Sequence, residues 1–262
     1  MINLSLIGLS SFNAKQQVPS DIATENYFLS PENTDSQRNL NTIQDWSSQN
    51  LMKLNCSKTK YMIINFCKSA EFNTRLFIQN QLLEQVEETR ILGVILTADL
   101  KWHKNTENLV KEANKRMILL RKLIAFDVPK ENLIQIYKLY IRSITEQSSV
   151  VWSSSITEEE SVSLERTQKS ALKLIFQSEY ISYSNALSMA GLTNLTVRRQ
   201  KLAEVFADRC HKNSKTTDMF PLNDAVRHTR NPEKFKVPFA AHERLRSSAI
   251  PTMARYLNAK FA

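Results

Sequence analysis

The sequence predicts an α+β fold, on three observations. Short apolar, β-branched runs crowd residues 60–100, notably 61–66 (Tyr-Met-Ile-Ile-Asn-Phe) and 91–96 (Ile-Leu-Gly-Val-Ile-Leu). Asn80, a residue that tolerates the positive φ of a tight hairpin, lies between two further β-like runs, 75–79 and 82–86. From Lys104 onward the apolar period changes from about two to about 3.6.

Taken in order, residues 1–35 hold Ser, Asn, Gln and Pro without a sustained period, and are expected to be a disordered or unrelated leader. Residues 36–50 are a predicted helix, with Leu40, Ile43 and Trp46 toward one face and Asp35 or Ser36 as N-cap. A polar corner, 55–59, leads into the buried strand 61–66, and Lys58 and Lys60 sit at its rim. In the strand 91–96, Gly93 marks a close backbone approach.

The predicted helix 107–125 carries Val110, Met117, Leu120 and Ile124 on one face. Lys104, Lys111, Lys115 and Lys122 form a stripe on another. Pro129 forces Val128 out of helical geometry and ends that segment. Helix 131–145 follows, with Leu133, Ile136, Tyr137, Tyr140, Ile141 and Ile144 in register. Thr157 before three glutamates is a helix start, and that helix runs to about Gln177. A short helix, 184–190, ends at Gly191. Another covers 195–210, with Leu202, Val205 and Phe206 inward and Arg198 and Arg199 at its start.

Composition narrows the function. The net charge of +9 points to an anionic partner. Cys56, Cys67 and Cys210 form no Cys-x-x-Cys pair, and no His stands at metal-finger spacing, so the thiols read as reduced, in a cytosolic or nuclear protein. No apolar run approaches the roughly 20 residues that span a bilayer, and no glycine-rich phosphate loop is present. The stripe has two readings: a surface for nucleic-acid phosphates, or the ordinary wet face of an amphipathic helix. Its single sign favours the first. Arg198, Arg199 and the basic residues Arg227, Arg230, Lys234, Lys236, Arg244 and Arg246 offer a second backbone-contact surface. Tyr137, Tyr140 and the three Trp could stack bases, but their apolar faces make core packing the stronger assignment.

Several patterns together carry a resemblance. They are the helix-turn-strand of 49–66 after Trp46, and Leu92-Gly93-Val94 followed by Leu100 and Trp102. Further on come Ile136-Tyr137 and Tyr140-Ile141-Arg142-Ser143 with Val151-Trp152. Glu165-Arg166, Gln168-Lys169 and Ala171 to Ile175 follow, then Leu195, Arg198, Arg199 and Leu202, and the tail 244–251. In this order the chain resembles the C-terminal part of reverse transcriptases from non-LTR (LINE-type, jockey-like) retrotransposons. Asn80 stands where that family has Gly, and Asn105 where it commonly has His.

The resemblance implies a partial palm, a helix plus a small antiparallel sheet, at 36–103. It implies thumb-like helices at 104–155, and a C-terminal helical region with a basic, partly irregular tail at 156–262. It also implies an RNA-directed DNA polymerase using Mg²⁺, held by one Asp and an Asp-Asp pair. The chain has no adjacent Asp pair, and Asp21 and Asp35 are isolated. The expectation is therefore a remnant, inactive alone, with no cofactor of its own. It would keep weak, non-specific affinity for RNA or RNA·DNA duplex through Lys104, Lys111, Lys115 and Lys122. Lys58 or Lys60 could correspond to a lysine facing the leaving pyrophosphate, although two solvated lysines are the stronger assignment. An opened sheet edge predicts self-association. Two alternatives remain: a helical protein–protein module with incidental charge, or a polymerase whose aspartates come from another chain.

Overall fold

The computed structural model describes residues 5–7, 34–64, 75–223, 234–240 and 243–261. Within them helices and small sheets combine in a mixed α+β arrangement, divided into two compact units, Met1–Lys101 and Trp102–Ala262. The break falls two residues before the predicted 103/104 boundary.

The first unit opens on strand β1 (Ser5–Ile7), within the stretch expected to be a disordered or unrelated leader. The rest of residues 1–33, Asp21 included, lies outside the described residues. Helix α1 (Thr34–Gln49) buries Leu40 and Ile43 as expected, but Ser47 rather than Trp46 takes the next inward place. Seven residues return to the starting face of a helix, whereas six end about 120° away from it. The corner is a 3₁₀ turn, Cys56–Lys58, in which the Asn55 side chain accepts the Lys58 backbone N–H at 3.2 Å. Strand β2 (Lys60–Met62) is shorter than the predicted run: Ile63 and Ile64 leave the ladder, while Asn65 and Phe66 lie outside the described residues.

Strands β3 (Phe77–Ile78) and β4 (Gln81–Leu82) form the expected hairpin around Gln79 and Asn80, at φ 51° and 61°. Two central residues at positive φ make a type I′ turn, whose twist matches the strands. Strand β5 (Glu84–Gln85) then pairs with one side of β2, and β1 with the other, both in parallel. The sheet expected to be antiparallel is thus parallel at its centre, because the chain crosses over between β2 and β5 instead of doubling back.

Strands β6 (Glu88–Ile91) and β7 (Val94–Thr97) pair antiparallel, which corrects the single strand predicted at 91–96. Leu92 and Gly93, at φ 46° and 87°, are the two-residue turn between them. Gly93 is the second residue of that turn, at a positive φ that glycine adopts freely. Leucine in the left-handed region is strained by about 1–2 kcal/mol, and Asn is not. Leu92→Asn should therefore stabilise the chain by about 0.5–1 kcal/mol in a denaturant titration. An unchanged midpoint would contradict the turn.

In the second unit, helix α2 (His103–Ala125) buries Leu109, Ala113, Met117 and Leu120. Val110 and Ile124 of the predicted face are half-buried at its margins. Helix α3 begins after Pro129 (Lys130–Ile136), passes through a π-helical turn (Tyr137–Arg142), and continues as α4 (Ser143–Glu146) and, after a break, α5 (Ser149–Trp152). The helix predicted at 131–145 is thus one rod with a widened turn in its middle. Tyr137, Ile141 and Ile144 point inward, while Tyr140 is 43% exposed. The extra residue in a π turn rotates the residues that follow relative to an α-helical register.

Helix α6 (Glu158–Phe176) starts at the predicted cap. Thr157 Oγ1 accepts the Glu160 N–H at 3.2 Å, and the Thr157 N–H donates to Glu160 Oε2 at 2.7 Å. Helix α7 (Tyr183–Ala190) ends at Gly191, whose φ of 59° fits the expected left-handed cap. In α8 (Leu195–Lys212) the inward residues are Leu195, Arg199, Ala207 and Cys210. Of the three expected there, Leu202 and Phe206 are half-buried and Val205 is exposed. Helices α9 (Glu243–Arg246) and α10 (Ala249–Phe261) complete the described residues.

One core joins α2, α3, the π turn, α6 and α7 around Met117, Tyr137, Leu172 and Ile175. A second joins α8 and α10 around Phe220, Phe235 and Leu257. No division falls at the predicted 155/156 boundary, because α2 and α6 lie along each other across it.

Candidate nucleic-acid interface

Lys104, Lys111, Lys115 and Lys122 are all exposed on α2. At about 100° per residue each lies within about 20° of a common direction, opposite the face that buries Ala113 and Leu120. The rise of an α-helix spreads them over about 27 Å. Lys115 donates to Glu112 at 2.6 Å, and that ammonium holds the Glu112 carboxyl below its usual range. Among the described residues, Lys111 and Lys122 have no ion-pair partner within 4.0 Å. Ile118 (53% exposed) and Leu119 (37%) flank the line.

The other predicted contacts fare differently. Arg199 is 2% exposed: its Nη2 donates to Ser161 Oγ at 3.1 Å, and its guanidinium lies 5.9 Å from the Trp152 ring. It cannot reach a phosphate, which corrects its assignment as a surface contact; the helical turn that displays Arg198 turns Arg199 inward. Arg198 is half-buried and occupied, with Nε donating to Glu146 Oε1 at 3.1 Å beside Arg142 at 3.0 Å. Lys60 stands opposite Glu84 in the β2–β5 register and pairs with it at 3.0 Å. Lys58 is exposed at the end of its 3₁₀ turn. In the tail, Arg246 pairs with Glu243 at 3.1 Å, and Lys234 lies 4.6 Å from the Phe261 ring. Arg227, Arg230 and the Arg244 side chain lie outside the described residues, as does Cys67.

The aromatic assignments also divide. Tyr137 and Trp152 are core residues, as expected, but Tyr140 is not. Arg116 covers one face of the Tyr140 ring at 4.4 Å and donates from Nη1 to the Tyr140 carbonyl at 2.6 Å. Neither residue was marked as a surface pair by sequence, because an α-helical register places Tyr140 with Tyr137 on the apolar side.

A buried polar network ties the π turn to its neighbours. Tyr137 Oη donates to Gln168 Oε1 at 2.7 Å, and Gln168 Nε2 donates to Tyr183 Oη and the Thr193 carbonyl, each at 2.9 Å. Tyr183 in turn donates to Glu165, whose carboxylate also accepts the Leu195 N–H at 2.9 Å. Burial pushes both tyrosine hydroxyls well above their usual range, and the Glu165 carboxylate adds to the effect at Tyr183. The network fixes Tyr137, and with it the turn that displays Tyr140.

Among the described residues no three His, Cys, Asp or Glu side chains converge. In the first unit Glu84 is taken by Lys60, and Asp99 by Thr97 and Lys101. Among the described residues no helix is long and apolar enough to cross a membrane. Comparison of the chain with protein-family models, curated proteins and solved structures finds no match.

Proposed function

We propose that the chain binds RNA or RNA·DNA duplex through its backbone, without sequence preference, along the exposed face of α2. The observation that carries this is the line of Lys104, Lys111, Lys115 and Lys122, four cations of one sign along about 27 Å of a helix whose opposite face is core. A duplex offers phosphates at regular steps over that length, and neutralising them needs charge and reach but no base contact. The sequence resemblance supports assigning these residues to the thumb of a non-LTR retrotransposon reverse transcriptase, with the first unit as part of its palm. No adjacent Asp pair occurs in this sequence, so these residues bind without supplying the two-metal chemistry. The test is equilibrium binding of an RNA·DNA duplex at increasing salt.

Ile118 and Leu119 favour a second reading, a partner helix laid on the same face. Apolar burial of that kind resists salt, so duplex binding that is absent or does not weaken with salt counts against the first reading. Self-association is a further expectation: Phe77 and Leu82, paired across the β3–β4 hairpin, are 40% and 54% exposed.

A further inference from the structure

We propose that the Tyr140–Arg116 pair is a platform for an unpaired nucleobase, so that the α2 surface takes a single-stranded segment as well as a duplex. The inference rests on the nucleic-acid reading of α2 and deepens it. Tyr140 is 43% exposed although the Arg116 guanidinium lies over its ring at 4.4 Å, so the residue stays open to solvent beside its stacked cation. The hydrogen bond from Arg116 to the Tyr140 carbonyl holds the two groups together, and Tyr137 in the buried network anchors the turn beneath. A rigid aromatic face with a stacked cation suits the π-face of any base.

The surroundings select a nucleotide over a neutral aromatic ligand. Arg116 directly follows Lys115 in α2, and exposed Leu119 lies between their directions, continuing the surface from the stripe to the ring. Glu112, on the same side, is taken up by Lys115. A base inside a duplex is already stacked on both sides and cannot use such a face; an unpaired one can.

The test uses the full chain and a single-stranded RNA carrying 2-aminopurine, whose fluorescence falls on stacking, beside a blunt RNA·DNA duplex. Wild type, Tyr140→Phe and Tyr140→Leu are compared by anisotropy for binding and by 2-aminopurine emission for stacking. Tyr140→Leu should weaken single-strand binding roughly 5- to 150-fold and abolish the quenching. Duplex affinity should not change, and Tyr140→Phe should behave as wild type. Single-strand binding with no quenching, unaffected by Tyr140→Leu, overturns the platform and leaves the stripe standing. Equal loss of duplex and single-strand affinity in Tyr140→Leu overturns it too, since the residue would then act through the helix. Failure of the wild type to bind either nucleic acid overturns both the stripe and the platform.

Discussion

Trp152→Ala should remove about 3–5 kcal/mol of stability from the helical unit, the range for losing a fully buried large aromatic side chain. Trp152 has no exposed surface, and its indole N–H donates to the Gln147 carbonyl at 2.9 Å. The ring also lies beside the buried Arg199 guanidinium, whose Nη1 has no partner among the described residues. Truncation would leave a cavity, remove the indole N–H from the Gln147 carbonyl, and strip a buried cation of its aromatic neighbour. Against a typical total of about 5–15 kcal/mol, such a loss is large. Trp152→Phe keeps most of the ring but not the hydrogen bond, and should cost less. Guanidinium titration followed by far-ultraviolet circular dichroism measures both. A loss below about 1 kcal/mol for the alanine variant would contradict the packing described.

Replacing Lys104, Lys111, Lys115 and Lys122 together by Gln should have the largest effect on binding. Each phosphate contact contributes about 0.9 to the slope of log K against log salt on a B-form duplex. The variant should therefore lose roughly 3–4 from that slope, and most of its low-salt affinity. Stability should change little, because these side chains are exposed. The Glu112–Lys115 pair lost with them is a surface ion pair of little energetic weight. Measuring the variant's unfolding midpoint beside its duplex affinity separates lost contacts from lost fold. A variant that binds like wild type would remove α2 from the interface.

What the sequence made legible were features written in local chemistry. The stripe survives because identical side chains at steps of seven, four and seven must share a helix face. The Thr157 cap, the Gly191 terminus and the Asn80 turn are each set by one or two residues. What failed depended on tertiary context. Leu92-Gly93 reads as mid-strand because both flanks are apolar, and only pairing reveals the turn. The parallel order β1-β2-β5 joins segments far apart in sequence. Arg199 looks like a surface cation beside Arg198, yet the rotation of one residue carries it into the core. Tyr140 was assigned to the core by an α-helical period that the π turn interrupts. A lysine line can be read from spacing; the contact of Arg116 with the Tyr140 ring required the fold.

The most direct test of the account is duplex binding by the wild-type chain across salt, from about 50 to about 200 mM. Four phosphate contacts predict a slope near −3.6 and roughly a hundredfold fall in affinity over that range. Binding that is insensitive to salt would contradict the account, because phosphate neutralisation by lysines must weaken as salt rises.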